Sequence, residues 1–117
     1  KAEYNFIVIR SREGYLLELR DSNGIWPGLW SFPALKVNEK VGTWVDLNVG
    51  TNEPYEINYM DQFTHSLSHI DITINPILID ISEHKEHKIK KDMIFAQPEK
   101  IGSLGISKAV KKIIDRL

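Results

Sequence analysis

The sequence predicts an α+β fold, with a mixed or antiparallel sheet and helices packed on it. Strand-like runs rich in β-branched and aromatic residues dominate the early chain. A long alternating isoleucine pattern occupies residues 69–81. The chain closes on Ala109, Val110, Ile113, Ile114 and Leu117, one apolar stripe at helical spacing. Strands early and a helix last is the α+β order.

Residues 4–10 read as the first strand and residues 15–20 as the second. Ser11-Arg12-Glu13-Gly14 is the turn that makes them a hairpin. Asp21-Ser22-Asn23-Gly24 breaks the second strand. An aromatic stretch rich in Gly and Pro follows, from Ile25-Trp26-Pro27-Gly28 to Leu29-Trp30-Ser31-Phe32-Pro33. Residues 38–50 admit a short helix, with Gly42 and β-branched neighbours counting against it. Residues 52–56 form a loop, and residues 57–66 and 69–81 two strands.

Within 69–81, Ile70, Ile72 and Ile74 hold even positions, whereas Ile77, Ile79 and Ile81 hold odd ones. A bulge or an edge position at Asn75-Pro76 accounts for both the proline and the change of face. Residues 83–91 form a charged loop and residues 93–96 a short strand, with a turn at Gln97-Pro98. Ser107 is placed to cap the last helix.

The 117 residues fit a single domain. Hydrophobic residues at 42% and charged residues at 26% place the chain in the ordinary globular class. A net charge of −1 gives no global positive field, so any contact with nucleic acid must rest on a local patch. The chain has no cysteine, which excludes disulfides, thiolate zinc sites and cysteine-ligated iron–sulfur clusters within these residues. No apolar run nears the ~18 residues that span a bilayer, and no signal peptide is visible, so no membrane partner is expected. The chain opens almost directly on a strand, as either a piece of a longer protein or a compact natural start would.

Two segments go beyond fold class. Arg20 followed by Gly28-Leu29-Trp30-Ser31-Phe32-Pro33 resembles the strand–loop–strand signature of Nudix-like domains. Phe63-Thr64-His65-Ser66-Leu67-Ser68-His69 resembles the Phe-x-His-x-Phe-Ser-His segment of the C-terminal domain of MutY-family adenine DNA glycosylases. Ile101-Gly102 and residues 107–117 resemble that family's ending, so the likeness covers nearly the whole chain in order.

The resemblance implies a Nudix-like mixed β-sheet flanked by helices. It also implies a part in removing adenine mispaired with 8-oxoguanine. In that family the bond-breaking chemistry belongs to an N-terminal helical domain with a [4Fe-4S] cluster, which these residues lack. The chain is then a non-catalytic lesion reader without a cofactor of its own. Its implied partners are double-stranded DNA containing 8-oxoguanine:adenine and the N-terminal glycosylase domain of the same protein, in a bacterial cytoplasm.

The implied site is Leu67, Ser68 and His69. Guanine offers N7 as an acceptor, whereas 8-oxoguanine carries a proton there. Its reader must therefore present an acceptor, and the hydroxyl and backbone carbonyl of Ser68 both qualify. Leu67 stands where the family has phenylalanine and is either a wedge at a base step or a core residue. His69 either contacts phosphate or braces the loop, and Ser68 is otherwise a simple turn residue.

His65 and His69, four apart, would share a face of a regular strand, yet no carboxylate or thiol is spaced to complete a metal site. His65 reads as a structural hydrogen-bonding histidine. The Glu83-His84-Lys85-Glu86-His87 run reads as a solvated loop before a ligand set. Trp30, Phe32 and Pro33 read as core and loop architecture, and Trp26 and Trp44 as exposed stacking candidates that nothing places near DNA. The lysines at 88, 90, 91, 108, 111 and 112, with Arg116, are either a solvated face or phosphate contacts.

Two other functions compete. A Nudix pyrophosphohydrolase needs several carboxylates on one helix to hold magnesium against a diphosphate. Here Ala34-Leu35 follows Phe32-Pro33 in place of Gly-Gly, no arginine lies between Arg20 and Arg116, Glu39 stands alone, and Glu53 and Glu56 flank Pro54. A protein-interaction module would use exposed aromatics as its surface.

Overall fold

In the computed structural model, which describes residues 2–20, 27–51, 53–82 and 89–117, eight strands and three helices follow one another. They are β1 (Ala2–Ser11), β2 (Gly14–Leu19), β3 (Trp30–Ser31), β4 (Ala34–Lys36), α1 (Val41–Asn48), β5 (Asn58–Tyr59), β6 (Phe63–Ser66), β7 (Asp71–Asp80), β8 (Met93–Ala96), α2 (Pro98–Ile101) and α3 (Lys108–Ile114). The turn at residues 21–24, Ile25, Trp26 and the charged run 83–88 lie outside the described residues.

β1 and β2 close as the expected hairpin, with Ser11 opposite Gly14. Gly14 has φ +111°, and a Cβ there would collide with the Ala96 carbonyl of β8, so glycine is required. β8 runs antiparallel along the other edge of β2.

The sheet is mixed, because β1 and β7 pair in parallel from Ala2↔Ile72 to Arg10↔Asp80. Both are buried on two faces, as parallel strands are when helices cover each side. Phe6, Val8, Ile72 and Ile74 point into one core with Ile101 and with Ala109, Val110 and Ile113 of α3. Ile7, Ile9, Ile77, Ile79 and Ile81 point into a second core with Val41, Val45 and Val49 from α1 and its end. The result is a Nudix-like layering, with α1 on one face and α2 and α3 on the other.

This layering corrects the expected bulge in β7. The register against β1 runs through Asn75 and Pro76 without an extra residue. The irregularity lies on the facing strand. Phe63 pairs with Ile74 and Tyr59 with Ile77, so three residues, 60–62, oppose two, 75–76. The single expected strand at 57–66 is accordingly split into β5 and β6. Met60 N donates to the Pro76 carbonyl at 2.9 Å. The proline nitrogen faces the same edge, at the break, so no ladder bond is lost.

The apolar set changes parity for another reason. Even side chains face the first core throughout, and odd ones become apolar where the second core begins. Before that point the odd face is open and polar. Asn75 accepts from Gln62 at 2.7 Å and donates to Glu3 at 2.9 Å and to Asn5 at 3.2 Å.

The last helix forms as its pattern requires. Ser107 Oγ accepts from Val110 N at 3.2 Å, and Ala109, Val110 and Ile113 are buried. Ile114 is half-buried, but Leu117 lies beyond the helix and is 37% exposed, so it is not part of the stripe. The Gln97-Pro98 turn opens the short α2, with proline at its first position, where a missing N–H costs nothing.

Candidate functional site

β6 and β7 form a hairpin whose last ladder pair is Ser66↔Asp71. Its tip, residues 67–70, is closed by Leu67 N donating to the Ile70 carbonyl at 2.8 Å. The tip divides its side chains. Leu67 is half-buried and packs against the first core, while Ser68 and His69 are exposed. Among the described residues, no hydrogen bond engages Ser68 or His69.

A cleft of about 410 Å³ opens beside the tip, lined by Leu29, the 65–68 segment, Ile106, Ser107 and Lys108. It joins the two sequence motifs through Leu29 and the 65–68 segment, more than 30 residues apart in the chain. Leu29 is brought there by backbone bonds. Arg20 N donates to the Leu29 carbonyl at 2.8 Å, Gly28 N to the Arg20 carbonyl at 3.2 Å, and Trp30 N to the Gly105 carbonyl at 2.7 Å. Trp30 and Ile106 form a parallel bridge. Gly28, at φ +75°, makes the turn into this segment. The base is braced by Arg20 Nη1 at 3.2 Å from Glu18 Oε1, where burial, opposed by Arg20, pushes the Glu18 carboxyl up.

His65 lies behind the tip and is buried. Its Nδ1 stands 3.1 Å from Lys112 Nζ. An ammonium can only donate, so Nδ1 accepts and the ring is neutral with its proton on Nε2. Burial first, then the charges of Lys112 and Lys108, lower the His65 pKa from its ordinary value. The strand ends at Ser66, so His65 and His69 do not share a face, one being buried and the other exposed. Among the described residues, no group of three or more His, Asp or Glu side chains is placed to hold a metal ion.

The carboxylates on and around α1, among them the expected Glu39, Glu53 and Glu56, are dispersed. Asp46 on α1 accepts from the Tyr55 hydroxyl at 3.2 Å, and Glu39 accepts from Lys36 N at 2.8 Å. Glu53 and Glu56 sit outside any helix. Phe32 and Pro33 are buried, Trp30 is half-buried, and Trp44 packs on the second core, across the sheet from the cleft. Lys90, Lys91, Lys108, Lys111, Lys112 and Arg116 are exposed.

The sequence pattern placed the tip at Ser66-Leu67-Ser68 and opened the next strand at His69, whereas Ser66 ends β6 and β7 begins at Asp71, which leaves His69 in the tip. It missed Leu29, Ile106 and Lys108 as walls of a shared cleft, and Lys112 as the partner of His65. Only the cap at Ser107 gave a local signal for that wall.

The NUDIX domain family matches residues 5–116. The chain is 28% identical over 117 residues to the adenine DNA glycosylase of Buchnera aphidicola subsp. Baizongia pistaciae (strain Bp), covering 100% of this chain and 33% of that protein. The chain thus spans about a third of the length of the curated relatives it matches. Among solved structures, the C-terminal domain of mouse MUTYH, in complex with human PCNA, superposes with TM-score 0.81 at 16% identity, covering 98% of this chain and 86% of that one. The MutT protein from Methanosarcina mazei Go1 superposes with TM-score 0.65 at 19% identity, covering 98% and 91%.

Proposed function

Because the chain belongs to the NUDIX domain family, we propose that it is a lesion-reading domain of an adenine DNA glycosylase, recognising 8-oxoguanine opposite adenine. The observation that carries this reading is the state of Ser68, exposed at a hairpin tip with its oxygens unengaged among the described residues. A donor on the rim of a base can reach such oxygens without displacing an internal bond. The proton on N7 of 8-oxoguanine is that donor, and unmodified guanine has an acceptor there. A mismatched polar contact costs about 1–3 kcal/mol, roughly a tenfold to hundredfold preference. His69, exposed beside it, is placed for phosphate. Leu67 fixes the tip by packing inward.

The proposal includes the whole chain acting as one domain in a longer bacterial cytoplasmic protein. Its partners are duplex DNA and a catalytic domain that extrudes adenine, since base removal needs access outside the stack. The likeness to adenine DNA glycosylases supports this assignment. The dispersed carboxylates disfavour pyrophosphate hydrolysis, because Asp46 alone lies on α1 and is bonded to Tyr55.

The test is fluorescence anisotropy of the chain with duplexes carrying 8-oxoguanine or guanine opposite adenine. The wild type should prefer the lesion, and Ser68→Ala should reduce that preference about tenfold. Equal affinities for the two duplexes would overturn the reading.

A second reading, protein docking, draws on the outer face of α1. Leu47 is 66% exposed there, beside half-buried Trp44. That face lies across the sheet from the tip, so the two readings do not compete for residues.

A further inference from the structure

α3 runs antiparallel to β6, and three cations, Lys108 and Lys112 of α3 and Arg116 just past its end, step along that edge strand. Lys108 lines the cleft with Ser66, Leu67 and Ser68. One turn on, Lys112 Nζ meets His65 Nδ1 at 3.1 Å. One turn further, the Arg116 guanidinium lies 4.3 Å over the Phe63 ring, and its Nη1 reaches the Asp61 carbonyl at 3.4 Å. Four helical residues rise about 6 Å, and two strand residues about 6.6 Å. The row Lys108, Lys112 and, past the helix end, Arg116 therefore keeps pace with alternate residues of the strand.

Among the described residues, these cations have no ion-pair partner: the ion pairs are Arg10–Asp80 and Arg20–Glu18, and none involves Lys108, Lys112 or Arg116. A chain of net charge −1 thus keeps positive groups beside one hairpin that form no ion pair among the described residues. Exposed carboxylates stand at both ends of the row, Asp61 and Asp115 beside Arg116 and Asp71 opposite Ser66, and Lys108 and Lys112 lie between them.

We infer that Lys108 and Lys112 hold successive phosphates of a DNA strand whose base is presented to Ser68, while Arg116, committed to Phe63 and the Asp61 carbonyl, fastens the helix to the base of the hairpin. This rests on the lesion-reading assignment above and adds the contact that fixes the strand's register. Lysine suits the task as a point charge on a long stem. Among the described residues, Lys112 meets a neutral imidazole and no carboxylate, which leaves its charge available. Phosphate contacts of this kind position the duplex without reading sequence.

The experiment uses the 117-residue chain with Lys108→Gln, Lys112→Gln, both together, Lys112→Arg, and Lys36→Gln on β4 as a control. Anisotropy is read on the 8-oxoguanine:adenine and guanine:adenine duplexes from about 50 to about 200 mM salt. Each lysine lost should make the slope of log affinity against log salt shallower by about 0.9, and affinity for both duplexes should fall by one factor, leaving their ratio intact. Lys112→Arg and Lys36→Gln should keep the wild-type slope.

A double variant with the wild-type slope overturns the inference, even if lesion preference persists. A lesion ratio of one, with slopes that still respond to the two lysines, overturns the lesion reading and leaves the phosphate contacts standing. A wild-type chain that binds neither duplex overturns both. Thermal melts of each variant separate misfolding from loss of contact.

Discussion

Lys112 Nζ lies 3.1 Å from His65 Nδ1, an ammonium donating to a neutral, buried imidazole. The contact ties α3 to the strand that leads into the hairpin tip. It also gives the fold a pH dependence of defined sign. Burial, Lys112 and Lys108 hold the His65 pKa below its ordinary value of 6.5. As pH falls, the unfolded chain takes up the proton first. The contribution is full above about pH 6.5 and is lost as pH drops below it, until the folded ring protonates as well. Urea midpoints across that range should fall with pH in the wild type and less steeply in His65→Gln. Identical slopes would show that His65 is not the group responsible.

Ile72 and Ile77 are both fully buried, on opposite faces of β7. Each replacement by alanine should cost about 2–5 kcal/mol in denaturant unfolding. Near-equal losses are expected, because each face of the strand has its own helical cover. A loss under about 1 kcal/mol at Ile77 would mean that α1 does not close a packed second core.

Ser107 caps α3 and lines the cleft at once. Ser107→Ala should destabilise the chain by about 1 kcal/mol, and Ser107→Asp should retain most of the cap. Chemical denaturation of the three proteins decides it. An alanine variant as stable as the wild type would remove the cap from the account of how Lys108 is positioned.

Much of the architecture was legible from local pattern. β1, β2 and β8 follow from β-branched runs between turn residues, and α3 from its cap and its apolar spacing. A tip around Leu67 and Ser68 was legible because strand-like runs on both sides leave few residues to turn, but its far end was not, since the pattern opened the strand at His69 and β7 begins at Asp71. The irregularity opposite Pro76 was also announced, but its location was not. A proline shows that an N–H is missing, whereas the partner strand decides which side absorbs the extra residue.

By itself, the sequence determined which backbone segments extend, where they turn, where the last helix begins, and that an acceptor-bearing serine stands at a turn. Those features depend on residues a few positions apart, through steric preference and short-range hydrogen bonds. The tertiary structure alone decided that β7 is covered on both faces, that Leu29 and Ile106 wall the cleft beside Ser68, and that Lys112 finds His65. Each of these pairs residues dozens of positions apart, and burial in a shared core, not local preference, selects which distant surfaces meet.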